Sequence, residues 1–489
     1  MLMIRGPSSP DQSMSMTTIS PYTSTTFQNL QHFLQRDKRG EGIEHNGLPS
    51  KSSEDATQQL WRQSPGWPDK NGDGRTDVTY EFRVPPAGTD TRRFGRVGFT
   101  PIGEHQRQQT RLSLQSIEDV ANVRFTQGAR SPSSEGHITI GNYGHMIDRN
   151  GRPYSYTNHA FLPYPGNKNS GDVWFVNTKT QSAVANAALG NSGRRTVVHE
   201  LGHAMGLSHP GAYGAAGLKP GQVDSSEDSR SHTVMSYRGE RSTYMHHRGF
   251  MSSAPQLDDI SAYQKKYGAN RDTRKNDTTY GFNANSDRDF LSVHAPEDKM
   301  VAAIWDGGGV DTLDFSGYRQ DQQISLKEGT FSDVGGLKGN IAIAYGTTLE
   351  NVISGGGNDL LVGNEVANTL KGGEGDDRLY GAEGADILWG EKGKDVFVYG
   401  HTRESTEVAL DRIMDFVSGE DRVDVSGLTA ALGKSALSFV SEFSGAVGEA
   451  KLVYDPVLEM SALQITGKPG EANFVLVVEG KLQRGDIVG

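Results

Sequence analysis

The chain has 489 residues, a formal charge of −11 and no cysteine. That length allows two or three domains with substantial cores, while the acidity disfavours nucleic acid or an anionic membrane as a partner. The absence of thiols excludes disulfides, thiolate metal sites and cysteine nucleophiles.

No apolar run approaches the roughly 20 residues of a membrane span. Residues 1–20 are rich in Ser, Thr, Pro and Met, lack an apolar signal-peptide core, and read as a flexible tail or a removable propeptide. Next, Phe27, Leu30, Phe33 and Leu34 recur at helical spacing, predicting an amphipathic helix that ends near Arg39-Gly40 and packs on the domain that follows.

Asp69, Asn71, Asp73 and Asp77 stand at alternate positions around Gly74, matching the first nine positions of an EF-hand loop. Tyr80 occupies the place of the bidentate Glu, so the loop reads either as an extra calcium site or as an Asx-rich turn. Residues 78–84 alternate like a strand, and Leu114, Ile117, Val120 and Ala121 form a helical stripe. Ile138-Thr139-Ile140 and Val173-Trp174-Phe175-Val176 read as strands. His159-Ala160-Phe161-Leu162-Pro163 reads as an edge strand lining a cleft, with Ala160, Phe161 and Leu162 placed to pair with an extended peptide. The order of helices and strands predicts an α+β domain.

The most specific stretch is His199-Glu200-Leu201-Gly202-His203-Ala204-Met205-Gly206-Leu207-Ser208-His209. Four residues apart on a helix, His199 and His203 project from one face. A turn at Gly206 brings His209 to the same ion, and three neutral nitrogens suit zinc with one position left for water. Glu200, beside them, is the general base for that water. Further on, Ser236-Tyr237 follows Met235, which completes the extended histidine motif with a Met-turn.

These residues resemble the serralysins, bacterial zinc metalloproteases with a calcium-binding C-terminal roll. The resemblance implies zinc on His199, His203 and His209. It makes Tyr237 a further, switchable zinc ligand that stabilises the oxyanion during catalysis. Met245-His246-His247 lies outside the motif and is expected on the surface, without zinc. A helix beginning near Pro255 and ending at Gly268 closes this domain.

From residue 354 the chain divides into nonapeptides starting at Ser354, Gly363, Gly372, Gly381 and Gly390. Their sixth positions are Asp359, Asn368, Asp377, Asp386 and Asp395, and their eighth are Leu361, Leu370, Leu379, Leu388 and Phe397. This is the repeat of a calcium β-roll, in which glycines shape the turn, aspartates supply charge and the apolar residue fills the core. The candidate ligands are Gly355, Gly357 and Asp359; Gly373, Gly375 and Asp377; Ala382, Gly384 and Asp386; and Gly393 and Asp395. Ala382 replaces a repeat glycine. The second frame is degraded by Val366 and Asn368, so the site it shares with the fourth is expected to be weakest or empty.

An earlier copy supplies Asp306, Gly308, Gly309 and Asp311. The resemblance adds the carbonyls of Arg274, Asn276 and Thr278, together with Thr348 and Glu350. In the family, two nonapeptides make one turn of roll. Residues after 400 read as alternating strands closing the roll as a sandwich, and the acidic and apolar C-terminal residues resemble a type I export signal.

The sequence thus predicts a tail at 1–20, a metzincin-like α+β zinc protease domain at 21–268 and an all-β roll and sandwich domain at 269–489. The protein is read as a secreted, extracellular, monomeric endopeptidase, made as a zymogen. Protein substrates, the type I secretion apparatus and a proteinaceous inhibitor are its expected partners. The rival readings are a non-catalytic calcium-binding adhesin or carrier and a zinc hydrolase of a non-peptide amide.

Overall fold

The computed structural model describes residues 23–84, 95–148, 150–155, 157–178, 182–213 and 223–489. The expected tail lies outside the described residues. Among these, no helix is long and apolar enough to cross a membrane.

The first half is built on helices α1 (Thr25–Gln35), α2 (Ser53–Trp61), α3 (Glu104–Val120), α4 (Ser192–Met205) and α5 (Leu257–Tyr267). Its main sheet uses β1 (Thr76–Phe82), β2 (Val123–Gln127), β3 (Gly136–Tyr143), β4 (His159–Ala160) and β5 (Asp172–Val176). The spatial order is β2-β1-β3-β5-β4. All neighbours are parallel except β4, which runs antiparallel to β5 and forms the edge. Every residue of β5 is buried, as an internal parallel strand requires. Leu114, Ile117 and Val120 of α3 and Val197, Val198 and Leu201 of α4 share one core with that sheet. α5 stops at Gly268, whose φ of 79° favours glycine.

The second half is a roll of two facing sheets, of ten and six strands. Val352 stands beside Leu370 and Leu370 beside Leu388 in one sheet, with Leu361, Leu379 and Phe397 in the other. Each sheet therefore advances by two nonapeptides per turn, and the eighth-position residues meet in one core. The later strands Glu449–Asp455, Met460–Ile465 and Phe474–Glu479 extend the ten-stranded sheet.

α1 corrects one expectation. Leu30 and Phe33 bury themselves against Leu360, Val362, Tyr380 and Val398 of the roll, rather than on the catalytic domain. The physical reason is that the six-stranded sheet presents an apolar outer face that the rest of the chain leaves open. The helix end then ties both halves. Arg36 binds Asp333 at 3.0 Å, and Arg39 grips Asp258 of α5 through two bonds of 2.6 and 3.2 Å.

A second correction concerns Met245-His246-His247. Met245 and His247 are buried. The His246 amide donates to Lys338 at 2.9 Å, and the His247 ring contacts the Gly339 carbonyl at 3.1 Å, so this cluster is a seam between the halves rather than free surface. Asp119 on α3 adds a further pin, accepting from Arg274 at 3.1 Å and from Arg288 at 2.7 and 2.8 Å.

Truncation of Phe33 to alanine is expected to cost about 3 kcal/mol, the usual loss for a buried aromatic. Urea denaturation followed by far-ultraviolet circular dichroism measures it; a change below about 0.5 kcal/mol, the level of surface substitutions, would contradict the packing.

Candidate active site

α4 begins at Asn191, whose side chain accepts from the Arg194 amide at 2.9 Å, and ends at Gly206 with φ of 113°. A side chain at Gly206 would bring Cβ to 2.3 Å from the Trp61 ring, so both backbone shape and space demand glycine. The left-handed turn carries the chain back along the helix to His209.

His209 Nε2 lies 3.1 Å from His203 Nε2 and 3.3 Å from His199 Nε2. A tetrahedral ion with arms of about 2.0–2.1 Å requires ligand separations of roughly 3.3–3.4 Å, close to these values. The other ring nitrogens are already committed: His199 Nδ1 donates to the Val234 carbonyl at 2.8 Å and His203 Nδ1 to the Leu207 carbonyl at 2.7 Å. Those bonds leave Nε2 lone pairs facing the common point. Burial lowers His203 to about 4 and His209 to about 3, and holds His199 well below its ordinary value, with its two histidine neighbours adding to the effect. All three are neutral at physiological pH. Among the described residues they form the one cluster of His, Asp or Glu arranged to hold a metal within a single ligand shell.

The support beneath them is the turn at Met235. Its sulfur fills the space beside Gly202, where a Cβ would stand 2.6 Å away, which explains the glycine between Glu200 and His203. Asp259 holds the turn in place. Its carboxylate accepts from the Val234 amide at 2.8 Å, the Thr233 hydroxyl at 2.6 Å and the Gln256 amide at 2.9 Å. A continuous line therefore runs from Arg39 and Asp258 on α5 through the adjacent Asp259 and Val234 to His199. The acidic pair Asp258-Asp259 was visible in the sequence, but nothing local linked it to the histidines.

Glu200 is buried, and its Oε2 has no hydrogen-bond partner. Burial pushes its carboxyl up to about 8, an effect that Arg195 opposes. The Tyr237 ring stands 4.5 Å from that of His209 and 5.8 Å from that of His199, and it is 38% exposed. Tyr213, which sequence reasoning missed, stacks on Tyr237 at 4.7 Å, while its hydroxyl donates to Asp228. Asp228 also accepts from Ser236 at 2.7 Å. On β4, the Phe161 amide donates to the Asp172 carbonyl at 2.9 Å, extending the edge past Ala160 toward Leu162.

The comparisons bear directly on this geometry. A family model described as Matrixin matches residues 100–217, and one described as Peptidase M10 serralysin C terminal matches residues 269–488. The metallopeptidase AprA of Pseudomonas marginalis is 43% identical over 95% of this chain and 97% of its own. A serralysin of a Photorhabdus species is 46% identical over 86% of each chain. Serralysin A of Dickeya chrysanthemi is 41% identical over 90% of this chain and 91% of its own.

The chain belongs to the serralysin family. It is therefore a zinc metalloendopeptidase, with a metzincin-like first domain and an all-β second one. The three imidazole nitrogens fit the zinc that a serralysin employs, in number, spacing and protonation.

The serralysin roll contains two ladders of buried carboxylates. The Asp359 amide donates to Asp377 at 2.7 Å and the Asp377 amide to Asp395 at 2.9 Å; on the other side the Asp386 amide donates to Asp411 at 2.9 Å. Each bond occupies Oδ1. Oδ2 of Asp311, Asp377, Asp386 and Asp411 is left buried without a partner, which is costly unless a cation is nearby. Burial raises Asp377 and Asp386 to about 8. Glycine is required beside them, since a Cβ at Gly372 or Gly381 would stand 2.3 or 2.1 Å from an aspartate oxygen.

The predicted glycine ligands divide by conformation. Gly373, Gly375, Gly384 and Gly393 have positive φ, as does Ala382 at 72°, so Ala382 carries the strain expected where it replaces glycine. Gly355 and Gly357 do not, and instead pack against the backbones of Tyr318 and Gln320. The residues of the earlier copy lie together. Asp306 accepts from Gly308 at 2.6 Å, Asp311 accepts from Thr278 at 2.8 Å, and Glu350 accepts from Asp311 at 2.7 Å. Gly309 lies against Asn276, whose carbonyl accepts from Thr278 at 2.8 Å, and Thr348 is exposed two residues before Glu350. The Arg274 side chain turns to Asp119 and Trp305.

At the EF-hand-like loop, the Asp69 carboxylate accepts from Gly72 at 2.7 Å and Gly74 at 3.0 Å, while Asn71 and Asp73 cap amides two residues on. Asp77 turns away to Arg124, with bonds of 3.0 and 2.6 Å. The loop has the hydrogen bonding of an Asx turn.

Replacing Asp259 with asparagine removes charge from the bond to Val234. Zinc affinity, measured by competition with a chromogenic chelator, is expected to fall on the order of 10-fold or more. An unchanged affinity would disconnect Asp259 from the metal site.

Proposed function

We propose that this serralysin is a secreted endopeptidase cutting extracellular proteins, with Glu200 as its general base, Tyr237 as its oxyanion donor and calcium as the ion that folds its second half. The observation that carries the catalytic reading is the meeting of three neutral imidazole nitrogens beside a buried, unpartnered carboxylate. Zinc at that point supplies Lewis acidity to a peptide carbonyl and lowers the pKa of a water toward about 7.

Glu200 takes a proton from the attacking water and passes it to the departing amine. Its burial keeps both protonation states accessible near neutrality. Tyr237, exposed at the cleft and backed by Tyr213, is free to swing and donate its hydroxyl to the oxyanion. The edge at Ala160, Phe161 and Leu162 suits an extended peptide, which adds as a further strand and has its scissile bond held over the histidines.

The partnerless aspartate oxygens support calcium, a hard cation that takes carboxylate and carbonyl ligands. Frame two supplies Asn368 instead. Its side-chain oxygen accepts from Asn364 at 2.8 Å and its amide nitrogen donates to Asn364 at 3.1 Å, so it has no unmet charge to offer. We read the site shared by frames two and four as the weakest. Mutual repulsion of the acidic loops keeps the roll open where calcium is scarce, and calcium stabilises it by mass action outside the cell. This sequence suits export of an unfolded chain by a type I apparatus. In the folded protein the Ile487–Val488 strand of the export-like segment pairs with Arg422–Asp424.

Casein cleavage abolished by phenanthroline tests the peptidase reading. Glu200→Ala is expected to retain zinc and lose on the order of 10²–10⁴ in turnover; near-wild-type cleavage would refute the role. For the roll, Asn368→Asp is expected to add one calcium ion by titration calorimetry, and excess EGTA to erase the β signal in circular dichroism. A spectrum indifferent to EGTA would refute calcium-dependent folding.

A further inference from the structure

A cavity of about 600 Å³ opens beside Glu200, lined among others by Val176, Val184, Arg195, Thr196 and Tyr237. In the mechanism proposed above Glu200 has to reach the departing amine, which puts this cavity beside the residue that supplies that amine.

Arg195 is the distinctive wall of this cavity. It lies on α4 one turn before His199, and the two side chains share a helix face. Its Nε is sealed from solvent and has no hydrogen-bond partner. The adjacent Arg194 points away and binds Gln109 at 2.7 Å and Asp289 at 3.3 Å; Arg195 makes no ion pair among the described residues. Burial lowers the Arg195 guanidinium to about 10, leaving it charged at neutral pH.

Arg230 adds positive charge. Its guanidinium donates to the Tyr237 carbonyl at 3.1 Å, and it repels Arg195. Among the described residues the sole carboxylate in the wall is Glu200, which makes no hydrogen bond to Arg195 and is committed to proton transfer. In a chain of net charge −11, this is a local positive pocket.

A half-buried guanidinium whose sealed Nε has no partner is costly, and an incoming carboxylate relieves that cost with charge-assisted, bidentate hydrogen bonds. We propose that Arg195 gives the enzyme a preference for Asp or Glu as the residue that supplies the departing amine. The proposal rests on the peptidase reading above. A neutral amide of the same shape leaves the guanidinium charge unmatched, so Glu is selected over Gln by charge rather than size.

Two peptides identical except for Glu or Gln at that position test it, with chain ends blocked. Wild-type enzyme is expected to show kcat/KM at least about 10-fold higher for Glu, as expected of a buried charge-assisted pair. Arg195→Gln should bring the ratio close to one, whereas Arg195→Lys should retain the sign of the preference. The ratio isolates recognition, because any indirect effect on Glu200 lowers both rates together. In a Glu200→Gln background, calorimetry should give tighter binding of the Glu peptide, and Arg195→Gln should remove the difference.

Cleavage of neither peptide would reject the peptidase reading itself. Equal cleavage of both by the wild type, or a ratio unchanged in Arg195→Gln, would overturn this proposal alone. So would a preference that appears only when the leaving segment carries a free terminal carboxylate.

Discussion

Three uncharged imidazoles aim their lone pairs at one point, with nitrogens 3.1 and 3.3 Å apart. Without a cation such an arrangement is repulsive, so the surrounding chain has to impose it. It does so through backbone carbonyls: Val234 orients His199, and Leu207 orients His203. Val234 is itself held by Asp259, and Leu207 sits just past the left-handed turn at Gly206. The metal site therefore depends on two turns and one buried carboxylate as much as on the helix that displays the histidines.

The same constraint links the halves of the molecule. α1 lies on the roll, but the chain leaving it delivers Arg39 to Asp258, next to Asp259. Asp119, gripped by Arg274 and Arg288, and the buried seam at Met245 and His247 add further ties. In the roll, Oδ2 of the buried Asp311, Asp377, Asp386 and Asp411 lacks a partner. Order in the roll bears on the protease domain through these packed contacts.

The cleft itself divides labour by charge. In the proposed mechanism neutral histidines and a carboxyl raised by burial handle the metal and the proton, while Arg195 makes the adjoining wall positive and Arg230 stands behind Tyr237. On the proposed reading, chemistry and recognition are separated by about one helical turn on α4.

Much of this was legible in the residue order. The extended histidine motif, Met235 and the nonapeptide frames are periodic or closely spaced patterns whose chemistry is local, so spacing alone pointed to the histidine helix, the Gly206 turn and the repeat frames, while two nonapeptides per turn was implied by the resemblance to the family and is seen in the strand pairing. The edge strand at Ala160 was legible for the same reason. Only the tertiary structure decided that α1 covers the roll, that Met245 and His247 fill a seam, that Asp259 and Tyr213 brace the site, and that Asp77 pairs with Arg124. Each of these joins residues far apart in the chain, and an apolar stripe or a lone charge states that it needs a partner without stating which one.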